Sequence, residues 1–280
     1  METRKKPDWL KIRLPQNANY KVVYDTVKKY NLHTICTSGK CPNLGECWDR
    51  KTATMMILGD ICTRSCKFCA VKTGRPKAPD LNEPTNIANA VKLLELKHCV
   101  LTSVDRDDLE DGGANIWAQT VLKIKELNPK TTLETLIPDF NASKDLIKLI
   151  IDAKPEVISH NLETVERLTS QVRSKAQYRK SLEVLRFISA SGINAKSGIM
   201  TGIGETFEEV LQTMDDVLET GCKIFTIGQY LQATRDNMSV KEYITPETFE
   251  KWRLIGLEKG FKHIESSPLV RSSYHAEKHV

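Results

Sequence analysis

The chain of 280 residues lacks long apolar runs and a strong excess of either charge. Lys and Arg number 41 and Asp and Glu 36, and a net charge of +5 does not indicate nucleic-acid binding. No stretch approaches the roughly 20 apolar residues that a membrane helix needs. Residues 1–8 also lack the apolar segment of a secretory signal. These absences predict a cytoplasmic protein with neither a membrane nor a nucleic-acid partner.

Cysteine is the component that stands out, because six of the eight cysteines lie between positions 36 and 69. Thiols stay reduced in the cytosol, so disulfide bonds are not expected. The other two, Cys99 and Cys222, fall on a predicted strand and just after a predicted helix. We predict that both are small core residues. The six clustered cysteines therefore indicate metal or cluster chemistry.

Strand-like and helix-like segments alternate from residue 52 onward, which predicts a parallel sheet covered by helices. A partial or complete βα barrel and an open doubly wound sheet both fit, and in either case loops after the strands carry the chemistry. Residues 1–51 are predicted as an N-terminal extension with a helix over 22–30, residues 52–260 as the main domain and residues 261–280 as a C-terminal segment. The predicted strands cover 52–58, 99–104, 131–137, 157–160, 194–201 and 223–230, and the helices cover 86–96, 114–127, 144–153, 178–191, 207–220 and 246–259.

Three cysteines follow the first predicted strand in the spacing C-x3-C-x2-C, namely Cys62, Cys66 and Cys69. Three thiolates on one short loop can hold three irons of a [4Fe–4S] cube and leave the fourth iron open to a small molecule. A structural zinc site is the alternative, but such sites usually have four ligands, often as two C-x2-C pairs. Phe68 stands directly before the last cysteine. The motif thus favours an iron–sulfur cluster over zinc.

This motif, with its aromatic residue, resembles the hallmark of the radical S-adenosylmethionine (SAM) superfamily. The resemblance implies an α/β fold, a partial (βα)6 barrel of the TIM type. It also implies that the open iron binds the amino and carboxylate groups of SAM. One electron from the reduced cluster would cleave SAM, and the 5′-deoxyadenosyl radical would take a hydrogen atom from an unactivated carbon.

A second group, Cys36, Cys41 and Cys47, has the spacing C-x4-C-x5-C and is followed by Trp48. It again offers three thiolates without a C-x2-C pair, which fits zinc poorly. Placed about fifteen residues before the first motif, it resembles the auxiliary-cluster motif of the lipoyl synthase family. Further segments extend this resemblance in family order over nearly the whole chain, at residues 6–10, 102–108, 111–114, 138–140, 160–165, 196–200, 202–206, 228–231 and 271–276.

The lipoyl synthase resemblance implies two [4Fe–4S] clusters, the second held by Cys36, Cys41, Cys47 and Ser273 of the terminal RSSY segment. The enzyme would insert sulfur at C6 and C8 of an octanoyl chain on a carrier-protein lysine, with the auxiliary cluster as sulfur donor and two SAM molecules per lipoyl group. The C-terminal tail would cross the open end of the barrel, meet the N-terminal extension and exclude water.

The resemblance also implies three kinds of partner. They are an octanoylated lipoyl domain or glycine-cleavage H-type protein, an electron donor such as ferredoxin or flavodoxin, and an iron–sulfur carrier that renews the auxiliary cluster. Two other functions stay open. A methylthiotransferase-like radical SAM enzyme would usually carry a separate nucleic-acid-binding module. A non-enzymatic electron carrier would need no open iron site and would have four cysteines per cube.

Several residues near the predicted strand ends are candidates for binding SAM. Asp105 opens a charged run that could instead be a solvated loop, and paired glycines could let backbone approach SAM or simply lead into a helix. Two residues that end a strand are either a pocket pair or a satisfied structural pair. Arg64 and Lys67 are expected to be exposed and to raise the positive potential near the first cluster. The SAM-binding candidates are Phe68, Ser103, Asp105, Gly112, Gly113, His160 and Asn161.

Overall fold

A mostly parallel sheet organises the chain, and the computed structural model describes residues 6–12, 18–274 and 276–279. Eight strands form one sheet in the order β1-β2-β5-β6-β7-β8-β9-β10, in which every pair except β1–β2 is parallel. β3 and β4 form a separate parallel pair. The bounds are β1 His33–Thr34, β2 Thr54–Ile57, β3 Ile61–Cys62, β4 Lys72–Thr73, β5 His98–Ser103, β6 Thr132–Leu136, β7 Val157–Ser159, β8 Asn194–Thr201, β9 Ile224–Gln229 and β10 His263–Ser267.

Helices cover the sheet, and those that follow the main strands contact one another in the order α4, α5, α6, α8, α9, α10. Strands β2, β7 and β9 are buried along their whole length, as expected for a parallel sheet whose outer face is covered by helices. None of the described helices combines the length and apolarity needed to cross a membrane. The helices are α1 Asn19–Lys29, α2 Ile35–Ser38, α3 Leu44–Asp49, α4 Glu83–Leu94, α5 Ala114–Leu127, α6 Lys144–Asp152, α7 Glu166–Val172, α8 Tyr178–Ala190, α9 Phe207–Glu219 and α10 Pro246–Lys259.

The helix ends follow from capping residues in the sequence. Thr206 and Glu209 form a capping box at the start of α9, in which each side chain accepts a hydrogen bond from the other residue's backbone N–H. α10 begins at Pro246, whose fixed φ suits a first turn, and ends at Gly260, whose φ of 110° suits glycine. These local signals explain why both helices match their predicted ranges closely.

The sheet stays open along one side. Among the described residues, β10 pairs only with β9 and β1 only with β2, so the two edge strands are not joined. The sheet surrounds a cavity of about 460 Å³ whose lining includes residues of β5, β6, β8 and β9, namely Thr102, Leu136, Gly198 and Thr226. This arrangement is the α/β partial barrel that the alternation and the resemblance imply.

The elements that were not expected from the sequence include β10 and α7, besides the short elements β1, α2, α3, β3 and β4. β10 adds a seventh parallel strand beyond the six predicted units, and it lies within residues 261–280, which were assigned to a C-terminal segment. Its sequence, HIESS, carries one large apolar side chain, and burial alternates along it. α7 precedes α8 and is too short to give a strong helical period.

The two ends of the chain meet beside the open edges of the sheet. The side-chain amide of Asn43 donates to the Leu269 carbonyl at 2.7 Å, and Tyr274 Oη donates to Glu46 at 3.1 Å. Arg50 also forms an ion pair with Glu277 at 2.8 Å. The tail after β10 therefore packs against the extension that carries β1, and the expected meeting of the two segments is present.

Candidate functional site

The first cysteine site is a loop closed at its base by a short strand pair. Cys62 lies in β3 and pairs with Thr73 of β4, and Gly74 N–H donates to the Cys62 carbonyl at 3.0 Å. This closure makes a compact loop that also contains Cys66 and Cys69. All three thiols are free, and all three residues line the 460 Å³ cavity.

Distant parts of the chain hold this loop in place. Lys67 N–H donates to the carbonyl of Val172 at the end of α7, and Ser65 N–H donates to Ser174 Oγ. From the segment after β9, the Asn237 side chain donates to the Cys69 carbonyl at 2.8 Å. The unexpected helix α7 thus contributes an anchor for the cysteine loop.

Arg64, expected to be exposed, is instead the buried centre of a charge cluster. Its guanidinium contacts Asp105 at 3.3 Å, Asp107 at 2.8 Å and Asp139 at 2.9 Å. Burial opposes ionisation of Asp139, but hydrogen bonds and the charge of Arg64 hold the pKa of that carboxyl below its ordinary value. The expectation of exposure was wrong because three carboxylates after β5 and β6 converge on this guanidinium and compensate its burial.

Two thiols of the first site, those of Cys62 and Cys69, are protonated at neutral pH in the metal-free chain. Burial, with a contribution from Asp105, raises the pKa of Cys62 to about 12, and burial raises the pKa of Cys69 to about 11. The backbone N–H groups of Arg64 and Asp105 donate to Cys62 Sγ at 3.4 and 3.3 Å. These two thiols would therefore lose their protons on binding iron, and two N–H donors are already directed at the Cys62 sulfur.

Four of the candidates for SAM binding line the cavity beside the three cysteines, namely Phe68, Ser103, Asp105 and Asn161. Two buried polar atoms among them, Ser103 Oγ and Asn161 Oδ1, have no hydrogen-bond partner within the described residues. Buried polar atoms are rarely left without a partner. Polar groups of a bound molecule such as SAM would supply the missing hydrogen bonds, so these residues fit it.

His160 lies outside this cavity, and its ring is fully occupied by protein contacts. Nδ1 is 3.0 Å from the Ile137 carbonyl, which can only accept, so Nδ1 carries the proton. The hydroxyl of Ser181 donates to Nε2 at 2.9 Å, and its oxygen accepts from Arg173. Of the two interpretations that the sequence left open for His160, the geometry favours the satisfied structural residue.

Gly112 and Gly113 also lie outside the cavity, and local backbone geometry accounts for both. Their φ angles are 57° and 87°, a region that favours glycine, and Gly113 immediately precedes α5. A Cβ at Gly113 would lie 2.4 Å from a methyl group of Leu58. The geometry therefore favours the helix lead-in over contact with SAM.

The second cysteine site brings the two ends of the chain together. Cys36 lies on α2 and Cys47 on α3, and Cys41 N–H donates to the Cys36 carbonyl between them. These three cysteines and Ser273 all line a second cavity of about 320 Å³. Burial raises the pKa of Cys36 to about 11 and that of Cys47 to about 12, so these thiols are also protonated before metal binds.

The two cavities adjoin. Cys36, Cys41 and Ser273 line both of them, so the second cysteine group borders the interior space that the first group also lines. Apolar side chains line much of the first cavity, including Ile35, Val71, Leu136, Ile199, Met200 and Leu231. The first cysteine group lines this apolar space, and the second group borders it where the two cavities meet.

The donor set fits clusters better than single ions. Among the described residues, no three His, Cys, Asp or Glu side chains converge around one metal ion. The irons of a cube stand at separate corners, and each is bound by its own thiolate, so ligands need not converge on one point. Free thiols spread around a cavity meet that requirement at both sites. Cys99 and Cys222 are fully buried core residues, as predicted.

Comparison with known proteins agrees with this geometry. The model of the radical SAM superfamily matches residues 56–217. Solved structures with similar folds include SuiB of Streptococcus suis bound to S-adenosylmethionine, with a TM-score of 0.60 at 13% identity over 81% of this chain and 54% of that one. The hydrogenase maturase HydG of Carboxydothermus hydrogenoformans also has a TM-score of 0.60, at 12% identity over 92% and 76%. At such identities the likeness concerns the fold alone.

Curated relatives give the closer assignment. The lipoyl synthase of Phocaeicola vulgatus is 59% identical over 276 residues, covering 99% of this chain and 97% of the relative. The mitochondrial lipoyl synthase of Nematostella vectensis is 58% identical, covering 98% and 95%. This similarity spans both cysteine motifs and the tail, and the chain belongs to the radical SAM superfamily and, within it, to the lipoyl synthase family.

Proposed function

We propose that this member of the lipoyl synthase family inserts two sulfur atoms, at C6 and C8, into an octanoyl chain carried on a lysine of a lipoyl-carrier protein. The observation that supports this division of labour is the pair of adjoining cavities, of which the first alone is lined by Cys62, Cys66 and Cys69 and the second alone by Cys47, while Cys36 and Cys41 border both. In this proposal, one set serves SAM cleavage and the other serves sulfur donation. Membership of the lipoyl synthase family argues against the two alternative functions, a non-enzymatic electron carrier and a methylthiotransferase-like enzyme.

Cys62, Cys66 and Cys69 are proposed to hold the cluster of the first site. A reduced [4Fe–4S] cluster supplies the electron that cleaves SAM to methionine and the 5′-deoxyadenosyl radical. Arg64 and its carboxylates connect the cysteine loop to the segments that follow β5 and β6. Ser103 and Asn161 offer buried polar atoms that would hydrogen-bond SAM.

The cavity between the two cysteine sets is proposed to hold the octanoyl chain. Its apolar lining, with Ile199, Met200 and Leu231, matches an alkyl chain and disfavours water. Exclusion of water protects a reactive radical from side reactions. The same walls would restrict the alkyl chain to poses in which C6 and C8 lie between the two sites.

Cys36, Cys41, Cys47 and Ser273 are proposed to hold the auxiliary cluster that provides sulfur. The presence of all four around one cavity supports this ligand set. A serine oxygen is a harder ligand than a thiolate and is less suited to iron in a sulfide cluster. Ser273 is therefore the ligand best able to leave when the cluster gives up sulfur.

The proposed reaction balances over two rounds. In each round one hydrogen atom would move from the octanoyl chain to a deoxyadenosyl group, and one sulfide would bond to the carbon in its place, leaving one electron with the iron that held it and taking up a proton to become a thiol. Two SAM molecules and two electrons are consumed for each lipoyl group, and the auxiliary cluster is used up. The proposal therefore includes an electron donor, such as ferredoxin or flavodoxin, and an iron–sulfur carrier that rebuilds the cluster.

The test is anaerobic turnover with an octanoyl-lysine peptide, SAM and a reductant, followed by mass spectrometry. We expect a dithiol product with a net gain of two sulfur atoms, because two protons taken up on sulfur match the two hydrogen atoms removed from carbon, and about eight irons per chain before turnover. A chain with both clusters loaded that makes 5′-deoxyadenosine but leaves the octanoyl peptide unchanged would contradict the proposed substrate. A product carrying a methylthio group would contradict the reaction type.

A further inference from the structure

A lysine and a glutamate form an ion pair inside the barrel. The side chains of Lys196 on β8 and Glu134 on β6 are fully buried, and Lys196 Nζ lies 2.9 Å from both carboxylate oxygens. Ser159, on the intervening strand β7, donates to Glu134 Oε1 at 2.7 Å. Neither charged residue lines either cavity. Burying two charges is unfavourable unless their hydrogen bonds are complete. Because neither residue reaches a cavity, the function of the pair lies in contacts other than those with substrate.

The hydrogen bonds of the ammonium group connect the pair to the C-terminal tail. An ammonium has three protons to donate, and two of them go to Glu134. The third goes to the backbone carbonyl of Ser272. Without the tail, one N–H of a fully buried ammonium would lose its acceptor, which is costly for a charged donor. The ion pair and the seated tail therefore stabilise each other.

This hydrogen bond acts on the peptide group that carries Ser273. The Ser272 carbonyl belongs to the same planar peptide group as the N and Cα atoms of Ser273. Fixing the carbonyl oxygen therefore also fixes the direction of the Ser273 N–Cα bond. Two residues earlier the tail passes directly over Gly228, where a Cβ would lie 2.1 Å from the Val270 carbonyl oxygen. The tail is thus held at Val270 and at Ser272, the two residues that flank Arg271, just before the chain reaches Ser273.

We propose that Lys196, oriented by Glu134, is the positioning residue that sets Ser273 against the auxiliary cysteines. The ammonium acts through the Ser272 carbonyl and touches neither substrate nor cluster. The inference rests on the proposed function in one respect, that Ser273 is a ligand of the auxiliary cluster. It adds that the ligand's position depends on a charge pair on two strands of the barrel.

The test compares a charge-free replacement of the pair with a tail control. In Lys196→Met/Glu134→Leu, both charges are removed together, so no unpaired charge stays buried, and such replacements are often neutral for stability. Ser272→Ala keeps the backbone carbonyl and serves as the matched control. Both are made in a Cys62/Cys66/Cys69→Ala chain, so that only the auxiliary cluster forms. The readouts are the thermal midpoint and the Mössbauer spectrum of that cluster, in which an oxygen-bound iron differs from thiolate-bound irons.

We expect the double variant to melt like its parent but to lose the oxygen-bound iron signal, whereas Ser272→Ala keeps the signal. Adding Ser273→Ala to the double variant should change nothing further, because both act on one ligand. A double variant that keeps the parent signal overturns the inference while leaving Ser273 as a ligand. A parent whose signal is unaffected by Ser273→Ala overturns the proposed ligand and this inference with it.

A milder change covers the case in which the double variant does not fold. Glu134→Gln keeps the shape of the side chain but removes the charge that orients Lys196. In the otherwise unmodified chain it should lower lipoyl product about tenfold, the order expected when a hydrogen bond to a charged group is weakened. Formation of 5′-deoxyadenosine should stay near the parent rate. Equal losses of both products would mean a general structural role and would overturn the inference.

Discussion

The two cysteine sites differ in how the chain builds them. The first lies within one loop after β2, where Cys62, Cys66 and Cys69 span eight consecutive positions closed by β3 and β4. The second joins cysteines of the N-terminal extension to a tail more than two hundred residues away, as the Asn43–Leu269 hydrogen bond illustrates with its separation of 226 residues. A site within one loop depends on local geometry, whereas a site made from both chain ends depends on the whole fold.

The largest expected effect separates the two sites by function. Replacing Cys62, Cys66 and Cys69 by Ala should abolish 5′-deoxyadenosine formation. Replacing Cys36, Cys41 and Cys47 by Ala should preserve that formation and abolish sulfur insertion. Each triple variant should lose about four irons per chain, since each site is proposed to hold one cube. Iron analysis and product chromatography on both variants check this.

Cys99→Ala is the matched control for these variants, because Cys99 is buried and belongs to neither site. It should keep all of its iron and both products. Sulfur insertion by the Cys36/Cys41/Cys47 variant, or deoxyadenosine formation by the Cys62/Cys66/Cys69 variant, would remove the distinction between the sites.

A smaller effect on iron content is expected from substitution of Arg64, whose ion pairs hold the cysteine loop of the first site and do not involve the second site. Arg64→Met leaves three carboxylates without their shared partner, and breaking a buried ion pair typically costs about 3–5 kcal/mol. We expect a lower melting temperature and poor iron loading at the first site, with the auxiliary cluster retained. Lys148→Met, which breaks the exposed pair with Asp152, is the control and should cost less than about 1 kcal/mol. Equal effects of the two variants on iron content would contradict the structural role of Arg64.

Asn43→Ala should affect the second site in a similar but weaker way. Asn43 is buried and donates to the tail at Leu269, so its loss leaves a carbonyl without that donor, at a cost of about 1–3 kcal/mol. We expect partial loss of iron from the auxiliary cluster and unchanged deoxyadenosine formation. Loss of iron from the first site instead would show that the extension supports both sites.

The smallest expected effect tests His160 as a structural residue. Burial, with the nearby charge of Arg173, lowers the pKa of His160 to about 4, whereas in the unfolded chain it is about 6.5. The unfolded chain therefore takes up a proton first, and stability falls as pH drops from about 6.5 towards 4. His160→Gln should weaken this part of the acid sensitivity in thermal melts and leave the KM for SAM unchanged at pH 7. A large rise in that KM would restore His160 as a SAM contact.

The same contrast explains which features could be predicted from sequence. The loop of Cys62 was readable because its ligands and its strand lie within a few positions, and α9 and α10 were readable from their caps. β10 was missed because HIESS lacks an apolar period and is a strand through its pairing with β9. Ser273 could be connected with Cys36 only by family resemblance, since no local pattern joins positions so far apart.

Charged residues within the predicted strands were a sequence signal from which a buried ion pair could have been predicted. Lys196 and Glu134 each interrupt a buried strand of a parallel sheet, where an unpaired charge is not tolerated. Opposite charges at two such positions are themselves a sign of a buried ion pair. For Arg64 the sequence offered acidic residues 105–108 and 139, but only the fold shows which of them reach the guanidinium.

The most direct test of the proposed function asks which site supplies the sulfur. The chain is reconstituted with heavy-isotope sulfide, desalted and allowed a single turnover with an octanoyl-lysine peptide and SAM in the presence of unlabelled sulfide. We predict a lipoyl product with two heavy sulfur atoms in the parent chain, and no sulfur product in the Cys36/Cys41/Cys47→Ala chain, whose first-site cluster carries the same label. Product with unlabelled sulfur, or heavy product from the chain without the auxiliary cysteines, would contradict the assignment of the auxiliary cluster as sulfur donor.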